Sequence, residues 1–144
     1  MPTADNWFAW ALLSAVFAAL TAIFAKLGLE GVDSDYATLI RTFVIGATLA
    51  LLVAVMGKWR NPATLPPKAG LFLVLSGLAT GASWVCYFRA LKVGDASRVA
   101  PVDKLSVVLV AVFATAFLGE RPSLREWLAI GLVGSGVLLL SFKR

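Results

Sequence analysis

Apolar residues in this chain come in long blocks, and the polar residues gather in short intervals between them. The first block covers residues 7–28, and its first 19 positions carry no charge. At 1.5 Å per residue such a helix covers roughly 28 Å, close to the ~30 Å hydrocarbon core of a bilayer. Comparable blocks follow at about 36–57, 69–91, 96–118 and 124–142. The intervals are about four to eleven residues, so successive helices must run antiparallel. The pattern predicts an all-α, polytopic membrane protein, with five transmembrane helices in one domain over residues 1–144.

Helix signals punctuate the blocks. Asp33, Ser34 and Asp35 are each suited to cap the second helix. The interval KWRNPATLPPK, at 58–68, is polar and proline-rich, as a turn requires. Asp95 is placed to cap the fourth helix, and Pro101 to kink it by removing a backbone donor. Ser123-Leu124-Arg125-Glu126 is a capping box at the start of the fifth. Trp7 and Trp10 suit an aromatic belt at the membrane interface. Gly77-x-x-x-Gly81, Gly131 and Gly134 are packing candidates, thin enough to let a neighbouring helix approach.

Composition narrows the class further. Hydrophobic residues make up 60% of the 144, charged residues 15%, and the mean hydropathy is +0.87. A soluble domain is about 45–50% apolar and about 25% charged. A lipid bilayer is therefore the expected surrounding. The net charge of +5 fits anionic headgroups, and no soluble basic domain is present to suggest nucleic acid. Cys86 is the single cysteine and the chain has no histidine, so no disulfide, metal site or histidine-based catalysis is expected. No cofactor is implied, and the chain does not read as an enzyme. The first block is too long for a signal-peptide core and reads as a mature helix.

Candidate chemistry centres on the fourth block. Its uncharged run, residues 105–119, covers only roughly 22 Å, so a full span must draw Asp103 and Lys104 inward. Arg41, early in the second helix, and Arg89, late in the third, belong to the same half of the bilayer. Ionisable groups inside a membrane are costly, and each is a site hypothesis by default. One reading joins Arg41, Arg89, Asp103 and Lys104 in a polar vestibule for substrate or a coupling proton. The other has the cations snorkelling to headgroups, with Asp103 merely neutralised. Asp103 and Lys104 project about 100° apart on a helix, so the partner of Asp103 is expected from another helix or a second subunit. Trp84 and Tyr87 fit either packing or stacking on a ligand.

The basic residues give little orientation. Lys58, Arg60, Lys68, Arg121 and Arg125 share the side of the N-terminus, against eight on the other. Omitting Arg41, Arg89 and Lys104, which lie within helices, leaves five on each side. A balance this even permits insertion in both orientations.

The string CYFRALKVGDASRVAPVDKLSVVLVAVFATAFLGERPSLREWLAIGLVGSGVLLL resembles the EamA-type repeat of the drug/metabolite transporter superfamily. The matching features are the aromatic-Ala-Leu end of the third helix, the small-residue turn, Ala100-Pro101, Leu118-Gly119-Glu120-Arg121 and the glycine-rich last helix. Arg41 early in the second helix fits as well. The resemblance implies a multi-pass protein of a bacterial inner membrane that carries a small metabolite or drug, usually outward, by alternating access. Members commonly hold two such repeats in opposite orientations, whereas one is present here. It therefore implies an antiparallel homodimer, with a heteromer or a non-transporting accessory subunit as the alternative.

Overall fold

The computed structural model describes residues 7–141. Helix α1 is Trp7–Gly28, α2 is Ser34–Val55, and α3 is Pro67–Val93, with a short 3-10 turn at Pro62–Thr64 before α3. The fourth span is built in pieces: α4 (Ala96–Asp103), α5 (Ser106–Phe113) and a π-helical turn, Ala114–Leu118. The last helix, α6, is Leu124–Ser141. Five helical stretches are long and apolar enough to cross a membrane, and the described residues contain no strand. The chain is an all-α, multi-pass membrane protein.

Local chemistry sets the helix ends. The Asp33 carboxylate accepts the N–H groups of Asp35 and Tyr36, both at 3.0 Å, which fixes the start of α2. Asn61 does the same for the 3-10 turn, accepting the N–H of Ala63 at 3.0 Å. The capping box forms as expected. The Ser123 N–H donates to Glu126 Oε2 at 2.6 Å, and the Glu126 N–H returns to Ser123 Oγ at 3.4 Å. Asp95 departs from expectation, because it occupies the N-cap position of α4 without a side-chain hydrogen bond. Gly119, at φ +69°, closes the π-helical turn, and the Glu120 N–H reaches back to the Ala114 carbonyl at 3.2 Å. Only glycine adopts that left-handed conformation at no steric cost.

The expected kink in the fourth span is an interruption, and it falls at Lys104–Leu105 instead of at Pro101. Around it the N–H groups of Lys104, Leu105, Val107 and Val108 donate to the carbonyls of Pro101, Val102, Lys104 and Leu105. Each bond reaches back three residues, so the backbone tightens locally to a 3-10 pitch.

Hydroxyl groups within the helices bond their own backbone. Thr38, Thr42, Thr48, Thr80 and Thr115 each donate to the carbonyl four residues earlier, at 2.7–2.8 Å. A hydroxyl satisfied in this way enters lipid without an orphaned donor.

The chain divides into two compact units, Phe24–Val93 and the remainder. In the first, α2 packs against α3, with Leu29, Thr38, Phe88 and Leu91 buried. In the second, α4 and α5 pack against α6, with Ala114 and Val137 buried. Gly134 makes the closest approach there, since a methyl built on it would lie 3.2 Å from Val108 Cγ2. A methyl at Gly77, Gly81 or Gly131 meets nothing within 4 Å. Among the described residues Gly134 thus has a close neighbour, and none is found at the other three glycines. Most apolar side chains point outward, Phe117 at 81% exposure and Val55 at 79% among them. That surface is tolerable against lipid or a second membrane chain and untenable in water.

The contrast among the glycines is testable by thermal unfolding of the detergent-solubilised monomer. Gly134→Leu drives a side chain into Val108 and should destabilise the chain by about 1–3 kcal/mol, whereas Gly131→Leu should leave it unchanged or better. Equal losses from both would contradict the α5–α6 contact.

Candidate functional site

The candidate residues of the Phe24–Val93 unit gather between α2 and α3. Arg41 stands seven residues into α2, roughly 10 Å from its start. Its guanidinium lies over the indole of Trp84, 4.4 Å from the ring centroid, and 5.2 Å from that of Phe88. Trp84 and Phe88 are four residues apart on α3 and therefore share a face. The cation is thus held by two ring faces, each carrying the negative lobe of an aromatic quadrupole. Arg41, Trp84 and Tyr87 are half-buried, and the Tyr87 ring lies edge-on to Phe88 with centroids 6.4 Å apart.

Arg89 behaves differently. Its Nε and Nη2 donate to the two carboxylate oxygens of Asp35 at 2.8 and 2.5 Å, a bidentate pair between α3 and α2. The side chains are 62% and 48% exposed, so the pair is open to whatever surrounds the helices. Two lysines at the same helix ends bind backbone. Lys92 Nζ donates to the Leu29 carbonyl at 2.8 Å and to that of Val32. Lys26 Nζ donates to the Leu91 carbonyl at 2.7 Å. Each lysine neutralises carbonyls left over where a helix ends.

Asp103 and Lys104 belong to the second unit, at the interruption between α4 and α5. Contrary to expectation they approach each other, with Lys104 Nζ 3.4 Å from Asp103 Oδ2. Lys104 is the C-cap of α4, and its long stem reaches back to the carboxylate beside it. The contact is long, and the side chains are 55% and 37% exposed. Glu120, beside the left-handed Gly119, is exposed.

Four participants escape a reading of the sequence. Asp35 was expected only as a helix cap, and it is the counter-ion of Arg89. Phe88 is the second ring beneath Arg41; the Trp84-x-x-x-Phe88 spacing carried that signal. Lys26 and Lys92 act through backbone carbonyls, for which no side-chain motif exists.

The EamA-like transporter family matches residues 5–142. A transporter of Sinorhizobium, named from its place in the cobO 3' region, is 58% identical over 95% of this chain and 97% of its own length. A protein of Methanocaldococcus jannaschii is 26% identical over 90% of this chain and 92% of its own. The probable 4-amino-4-deoxy-L-arabinose-phosphoundecaprenol flippase subunit ArnE of Yersinia pestis is 30% identical, over 49% of this chain and 62% of its own. No solved structure matches. The chain belongs to the EamA-like transporter family and is a membrane transporter by that membership.

Removing the lysine clasp gives a local test. Lys92→Met should speed hydrogen–deuterium exchange over residues 29–36, because the carbonyls of Leu29 and Val32 lose their donor. Unchanged exchange there would show that the α1–α2 turn does not depend on Lys92.

Proposed function

We propose that the chain is a secondary transporter that exports a small metabolite or drug across a bacterial inner membrane, working as an antiparallel homodimer by alternating access. One observation carries the assembly: this five-helix stretch covers 97% of the Sinorhizobium transporter, so a single repeat is nearly the whole of that relative. Five spans place the two ends of a repeat on opposite sides of the membrane. A second copy inserted upside down then supplies the inverted repeat on which alternating access is commonly built. The even distribution of loop cations supports insertion both ways. The outward-facing apolar side chains, with Gly77, Gly81 and Gly131 open among them, leave room for the second copy.

Arg41, Trp84, Tyr87 and Arg89 are the substrate-pathway residues of this reading, and Asp103 with Lys104 serves the coupling ion. A carboxylate beside a broken helix, with only a long and exposed contact to Lys104, is well placed to exchange a proton as the site alternates. A second reading, a half-unit that assembles with a different membrane protein, is favoured by the word subunit in the name of the Yersinia relative.

Single cysteines replacing Glu30 or Asn61, in a Cys86→Ala background, test the orientation. Each should react with an impermeant maleimide from both sides of the membrane, whereas strict one-sided reaction of both would end the antiparallel proposal. Asp103→Asn tests the coupling in proteoliposomes. Folded yield should persist while flux loses its response to an imposed pH gradient; an unaltered response removes Asp103 from the coupling role.

A further inference from the structure

We propose that Arg41 is an anion-binding site, and that the group it takes is a carboxylate or phosphate presented at the α2–α3 face. The inference rests on the transport reading only in naming the chemistry of the cargo. It begins from how the cations of the Phe24–Val93 unit are occupied. Arg89 spends its guanidinium on both oxygens of Asp35, and Lys26 and Lys92 donate to backbone carbonyls. Arg41 has neither. Its guanidinium lies on the faces of Trp84 and Phe88, which accept no in-plane N–H bond in the way an oxygen does, with Tyr87 near enough to act on its charge.

The position of the guanidinium argues against simple escape to the headgroups. Trp84 lies nine residues before the end of α3, roughly 13 Å inside it, and Phe88 roughly 7 Å. The cation sits closer to the deeper ring, at 4.4 Å against 5.2 Å. The guanidinium is therefore engaged with both rings and not with Asp35, whose two oxygens Arg89 occupies. Stacking on the two rings offsets part of the cost of holding an arginine within a membrane span. Ring faces cannot take the N–H donors of a guanidinium as an oxygen does, and a planar fork of donors suits a bidentate oxyanion. An aromatic acid adds the chance of ring contact with Trp84.

Two sources offer this chemistry, a soluble anion and a lipid phosphate. The test places the full chain in phosphatidylcholine nanodiscs and measures equilibrium binding of radiolabelled benzoate and orthophosphate. A parallel series records thermal stabilisation when phosphatidylglycerol is added to the bilayer. Saturable binding of either free anion, weakened about tenfold or more by Arg41→Gln and unchanged by Arg60→Gln in the α2–α3 loop, supports a soluble ligand. Stabilisation by phosphatidylglycerol alone, lost in Arg41→Gln, supports the site with a lipid phosphate as its source. Neither response in the wild type, equal binding by Arg41→Gln, or preference for tetraphenylphosphonium over both anions overturns the proposal. If Arg41→Gln does not fold, Arg41→Lys decides, because it keeps the charge and loses the planar fork. Weaker benzoate binding by that variant supports the site and unchanged binding overturns it. The two readings separate cleanly in proteoliposomes. Arg41-dependent binding without flux removes the transporter reading and leaves the anion site. Metabolite flux that is indifferent to Arg41→Gln removes the anion site and leaves the transporter.

Discussion

Hydrocarbon offers no hydrogen bonds, and every feature of this chain answers to that. Backbone groups in a bilayer must find partners within the protein, which is why each long apolar block is a helix. The same demand explains the threonines, whose hydroxyls turn back on the preceding turn, and the two lysines that clasp carbonyls where helices end. These are ways of leaving nothing polar facing lipid tails alone. Outward exposure of Phe, Leu and Val then carries no penalty, since lipid is as apolar as they are.

Against that background the charged side chains sort themselves by what they touch. Lys26, Arg89 and Lys92 each have an oxygen partner inside their own unit. Arg41 rests on two aromatic faces and keeps its edge available. Asp103 and Lys104 share a long contact at a break in a helix. The difference between a cation that is used up and one that is held in readiness is visible in the geometry. It has no trace in the residue type, because Arg41 and Arg89 look alike in a list of letters.

That distinction marks where reading the sequence stops. Uncharged length and polar intervals located the five spans, and the Ser123–Glu126 spacing located a cap, because these depend on neighbours in sequence. Pro101 warned of irregularity in the fourth span, although the interruption came three residues later. The Arg89–Asp35 pair joins positions 54 apart, and no local pattern encodes it. The contact of Lys104 with Asp103 was missed for the opposite reason: the helical angle separates the start of two adjacent side chains, but a long lysine stem can still reach back to its neighbour. A small residue permits close packing without requiring it: among the described residues Gly134 has a close neighbour, and none is found at Gly77, Gly81 or Gly131.

The interrupted fourth span also has a mechanical meaning. Its two α-helical pieces have eight residues each, roughly 12 Å of rod apiece, and neither crosses a bilayer of ~30 Å alone. A continuous helix answers a change in bilayer thickness by tilting as one body. Two short rods on a tightened joint can change the angle between them, and the π-helical turn beyond Phe113 adds a second place to yield. Each residue at a 3-10 pitch rises about 2.0 Å instead of 1.5 Å, so the joint also lengthens the span for the same number of residues.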